Sequence, residues 1–60
     1  MTKATKNAIA KYGEELCRKA YDLNVQGEGA STIQYYLGFK CFAAANAAIN
    51  AGCELVTGTR

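Results

Sequence analysis

The chain contains no histidine, and its three cysteines, Cys17, Cys41 and Cys53, form no Cys-x-x-Cys pair. Without imidazoles or closely spaced thiols there is no adequate ligand set for a closed zinc site. An odd cysteine count with no signal-peptide charge pattern points to a reducing cytoplasm and not to a secreted disulfide scaffold. Long apolar runs are missing too. The longest stretch without a charge, Cys41 to Cys53, is interrupted by Asn46, Asn50 and Gly52, so no membrane span is expected.

Features that would carry catalysis are equally scarce. Gly27-Glu28-Gly29 is too short to cradle a phosphate. Adjacent Glu14 and Glu15 point along different directions of a helix and read as surface charges, not as an acid/base pair. Cys17 precedes Arg18 and Lys19, but its mid-helix position favours burial over reactivity. The expectation is a protein that is not an enzyme and uses no cofactor.

Sixty residues make one domain, near the lower size limit for folding alone. Half of the residues are hydrophobic, yet eleven of these are alanine, which buries little area. The larger core candidates are Ile9, Tyr12, Leu16, Leu23, Val25, Ile33, Leu37, Phe39, Phe42, Ile49, Leu55 and Val56. Burial and chain entropy nearly cancel in so small a body, so self-association or a bound partner is expected to add stability.

Ile9, Tyr12, Leu16, Ala20 and Leu23 recur every three or four residues, which predicts one long helix over about Thr5 to Leu23, capped by Thr2 or Thr5. Its other face carries charge, with Glu14–Arg18 and Glu15–Lys19 spaced i,i+4 in the favourable order. Gly13 inside this pattern costs about 1 kcal/mol relative to alanine and marks a close approach or a slight bend. The segment Asn24–Gly29 then breaks the period. Ser31 with Gln34 forms a capping-box pair that starts a second helix, and Gly38 sits where a left-handed terminal residue is wanted.

After Phe39-Lys40 the alanine-rich segment predicts a third helix over about Cys41 to Ala51, ended by Gly52, with Phe42, Ala45 and Ile49 inward. The β-branched stretch Cys53–Thr57 reads as a short extended return segment, and the last three residues as frayed. The expected fold is therefore all-α: three helices, the last two a helix-turn-helix, and a short extended C-terminal tail.

The run Gly27-Glu28-Gly29-Ala30-Ser31-Thr32-Ile33-Gln34-Tyr35-Tyr36-Leu37-Gly38-Phe39 resembles the helix-turn-helix of resolvase and invertase DNA-binding domains. Together with the helix that follows it, to about Ala51, the likeness covers about two fifths of the chain. It implies Ile33 and Leu37 as contacts between the two helices, Gly38 as the turn and Phe39 as the apolar plug beneath it. It also implies a small phage- or plasmid-type regulator that reads the DNA major groove with the helix at about 41–51, as a homodimer. The chain has Gln34 where the family usually places alanine, and Cys41, Phe42, Ala43 and Ala44 where the recognition helix usually begins with polar or basic residues.

Lys40, Asn46 and Asn50 are then the candidates for the groove, since asparagine pairs bidentately with adenine and alanine meets a thymine methyl. Lys3, Lys6 and Lys11, in a basic segment free of acids, are the candidates for phosphate. A second reading uses the same helix as a protein-contact surface: Tyr35, Tyr36, Ala43 and Ala47 would seat a host protein, as in a phage-type inhibitor or adaptor of the anti-defence or anti-CRISPR-like kind. Tyr35 and Tyr36 are adjacent and cannot both be buried; one core ring and one surface ring is the plain structural expectation.

Overall fold

The computed structural model describes residues 2–58, in which α1 (Lys3–Tyr12), α2 (Glu14–Val25), α3 (Ala30–Leu37) and α4 (Phe42–Thr57) are all α-helices. The all-α expectation is met, with four helices in place of three. The long first helix is cut at Gly13, which adopts φ 92° and ψ 153°, a region that essentially only glycine occupies. Gly13 N–H closes α1 on the Ile9 carbonyl at 2.8 Å, and its own carbonyl accepts the Cys17 N–H at 3.2 Å to open α2. One residue serves as both end and beginning, so the apolar period runs on across the break.

Thr2 caps α1: its Oγ1 accepts the Thr5 N–H at 3.1 Å. The first turn of α2 holds Glu14 and Glu15, where acids offset the positive end of the helix dipole. Of the two spaced pairs, Glu14–Arg18 closes at 3.7 Å on the surface. Past Val25, Gly27 takes φ 107° and the Glu28 N–H reaches back to the Leu23 carbonyl at 3.1 Å, turning the chain. The third element starts at Ala30, not Ser31, because the Gly29 carbonyl accepts the Ile33 N–H at 3.0 Å and no side chain caps the start. At its far end Gly38 is left-handed (φ 73°, ψ 29°), and the Phe39 N–H bonds the Gln34 carbonyl at 3.0 Å. The Gly38 N–H bonds the same Gln34 carbonyl, so the left-handed turn closes the helix on one residue.

The extended tail is overturned. Helix α4 runs unbroken to Thr57, with Gly58 left-handed at its end. At about 1.5 Å per residue its sixteen residues nearly span the longest dimension, 26 Å. It touches each of the other three helices. Gly52 is therefore not a stop but a crossing point: a Cβ there would lie 2.1 Å from the Cys17 carbonyl oxygen and 2.6 Å from the Tyr21 Cβ. Residues 59 and 60 of the end expected to fray lie outside the described residues.

The core that results is made largely of methyl groups. Ala8, Ala20, Ala45, Ala48 and Ala51 are buried, and the largest fully buried side chains are Ile33 and Cys17. Phe39 is buried edge-on against Tyr12, with ring centroids 5.2 Å apart at 88°. Val25, Phe42 and Val56, expected inside, are exposed. Alanines all around α4 leave no apolar phase to orient it, and the side that packs is the one with the least bulk, through Ala45, Ala48 and Gly52.

Candidate nucleic-acid interface

The side of α4 opposite the Gly52 crossing faces outward. At about 100° per residue, Ala43, Asn46 and Asn50 share one stripe, and all three are exposed. Ala47, at its edge, is half-buried. It lines a groove of about 340 Å³ with Ala4 and Thr5 of α1 and Asn50, Cys53 and Glu54 of α4. Asn50 thus lies at the junction of the two helices, whereas Asn46 projects from α4 alone.

Two contacts fix how α1 lies along this stripe. At one end Glu54 accepts hydrogen bonds from the Thr5 hydroxyl, from the Thr2 hydroxyl at 3.3 Å and from the Thr2 N–H at 3.4 Å. At the other, Tyr12 packs on Phe39 just before α4. The two helices are therefore antiparallel. The Glu54 carboxyl is held below its ordinary value of 4.5, chiefly by the Thr5 hydroxyl and further by the Thr2 amide and hydroxyl, against an opposing effect of burial. Thr5 is itself buried. The sequence reading missed this clasp, although Thr5 falls on the same helical face as Ile9 and Tyr12.

The structure draws only some of the expected basic residues together. Lys11 Nζ sits 5.5 Å from the centroid of the Tyr12 ring, a cation–π distance. Tyr12 meets Phe39, and Lys40 follows Phe39, so Lys11 and Lys40 flank one aromatic pair beside the start of α4. Lys3 and Lys6 are exposed on α1, and Lys6 lies about 160° around the helix from the groove-lining Ala4 at 100° per residue. It does not share the Asn50 face.

Charge is divided unevenly among the elements. Helix α1, the turn at 38–41 and α4 carry Lys3, Lys6, Lys11 and Lys40 against a single acid, Glu54, whose carboxylate is occupied by threonines. Helix α2 and the loop after it carry Glu14, Glu15, Asp22 and Glu28 against Arg18 and Lys19.

Tyr35 and Tyr36 are both outside, 86% and 64% exposed, with rings 6.3 Å apart. The expected division into one core and one surface ring does not hold, because Ile33 and Leu37 already occupy the inner side of this short helix. Cys17 is sealed, its Sγ 3.9 Å from the Ala8 carbonyl, and burial pushes its thiol pKa up. Cys41 is exposed and Cys53 half-buried. No group of three His, Cys, Asp or Glu side chains among the described residues is arranged to hold a metal ion. No helix among them is long and apolar enough to cross a membrane. No protein-family model, curated protein or solved structure matches the chain.

Proposed function

We propose that the chain is a small, non-enzymatic DNA-binding regulator of the resolvase-like helix-turn-helix kind, of mobile-element type and working as a homodimer in the cytoplasm. Helix α3, the left-handed turn at Gly38 and α4 form the motif. The outward stripe of α4 enters the major groove, with Asn46 and Asn50 meeting base edges and Ala43 available to a thymine methyl. Lys11 and Lys40 contact phosphates on either side, and Lys3 and Lys6 add weaker, more distant attraction. The observation that supports this most is the uneven charge: Lys11 and Lys40 lie beside the start of α4, while Glu14, Glu15, Asp22 and Glu28, every acid except Glu54, lie on α2 and its loop. Phosphate contact is the part of DNA binding that charge alone determines.

Fluorescence anisotropy with a labelled duplex at several salt concentrations tests this. Two to four phosphate contacts per protomer give a log–log slope of about −2 to −4 per protomer. No binding at low salt, or binding indifferent to salt, would defeat the reading.

The exposure of both tyrosines favours one alternative, a phage-type inhibitor or adaptor that seats a host protein on Tyr35 and Tyr36, with Ala43 and Ala47 as a second small-residue contact. Affinity that survives high salt and falls on truncation of either tyrosine would support it.

A further inference from the structure

We propose that the edge formed by α2 and α3 is a two-fold seam between copies of this chain, in which Tyr36 of each copy enters the other's groove. The groove holds about 550 Å³ and is lined by Leu23, Leu37 and Tyr36, with Lys19, Asp22 and Glu28 at its margin. It is a shallow, open depression, so a ring carried on a facing surface can lie in it. Tyr36 is 64% exposed beside an apolar floor, and no charged residue occurs between Gly29 and Phe39. An uncharged centre with tyrosine and a polar margin is the usual make-up of a protein interface.

The margin indicates which partner fits. It carries both signs within one turn of α2, Lys19 and Asp22, with Glu28 alongside. A two-fold axis places any patch against itself, so residue i meets residue j and j meets i. An axis that sets Lys19 of one copy against Asp22 of the other makes that attraction occur twice. A second copy supplies this complementary pattern without further design.

The fold also lacks what the seam would add. Its centre is mostly alanine, whereas Tyr35 and Tyr36 remain outside. A chain of this size gains from burying more apolar surface. The seam leaves the Ala43–Asn50 stripe uncovered, since that stripe lies on the side of α4 away from the Gly52 crossing with α2. It would supply the pairing that the DNA reading calls for, but it stands on different residues.

Sedimentation equilibrium of the full chain without DNA is the test, with the variants Lys19→Glu and Asp22→Lys. Both positions are exposed, so circular dichroism should show both variants folded. The wild type is expected to dimerise, and each variant alone to dimerise at least about tenfold more weakly, through repeated like charges. Mixing the two variants should restore a one-to-one dimer, because each introduced charge then faces its opposite on the other copy, and the unaltered Asp22 of the first faces the unaltered Lys19 of the second. Tyr36→Ser should weaken the dimer and Tyr35→Ser should not. A monomeric wild type, single variants that dimerise as well as wild type, or a mixture that stays monomeric would each overturn the seam. So would a wild type that binds another protein through Tyr36 while remaining monomeric. With no DNA present, failure here is separate from failure of the DNA reading.

Discussion

Gly52 and Cys17 bring α4 and α2 into contact backbone to backbone: a Cβ added to Gly52 would lie 2.1 Å from the Cys17 carbonyl oxygen and 2.8 Å from its carbonyl carbon. Neither atom can swing aside as a side chain tip can. Gly52→Ala must push the helices apart and is expected to destabilise by about 3 kcal/mol, at the upper end of typical overpacking, despite the better helix propensity of alanine. Urea unfolding followed by circular dichroism checks this. If Gly52 merely ended a helix, its replacement would have a much smaller effect.

Gly13 offers a test in which two readings differ in sign. In a continuous helix Gly13→Ala would stabilise by about 1 kcal/mol. At φ 92° and ψ 153° it is expected instead to destabilise by about 1–3 kcal/mol. The unfolding midpoint against wild type decides between them.

The clasp on Glu54 makes stability depend on pH. Its carboxyl is held below the ordinary value of 4.5 in the folded chain, so its contribution is present above that value and is lost as pH falls through the lowered one. Wild type is expected to melt above Glu54→Gln at neutral pH, with the gap closing in acid. Thr5→Val should shrink the same gap, because the Thr5 hydroxyl is the first cause of the shift. Thermal melts between neutral and acidic pH read both effects.

In the DNA reading, base and phosphate contacts separate experimentally. Asn46→Ala with Asn50→Ala should leave the fold intact, since both side chains are exposed, and should remove preference among duplex sequences. Lys11→Ala or Lys40→Ala should weaken binding to all sequences alike and reduce the salt slope by about 1 each. Lys6→Ala should change the slope less, because Lys6 points away from the groove face. Anisotropy titrations on a panel of duplexes give all three comparisons.

The thiols should label in order of exposure: Cys41 at once, Cys53 more slowly, and Cys17 only with global unfolding. Burial and a raised pKa both protect Cys17. Mass-resolved alkylation in increasing urea follows each step.

The helical class and the turn at Gly38 were legible in the sequence because their signals are local: the period of Ile33 and Leu37, then a glycine in the left-handed position. Asn46 and Asn50 are outward as read, but the same spacing placed Phe42 inside, where it is not. The break at Gly13 did not, since Ile9, Tyr12 and Leu16 keep their phase through it. Gly52 after an alanine run signals a stop and a tight crossing equally well, and what decides between them, Cys17, lies far away in sequence. The Thr5–Glu54 contact joins residues whose pairing depends on α1 and α4 being antiparallel, which no short window contains.

The Gly13 corner has no connecting loop, and so nothing to absorb an added residue. Inserting one amino acid there would rotate Cys17 and Ala20 out of register with α4, so the distance in sequence between α1 and α2 is fixed to the single residue.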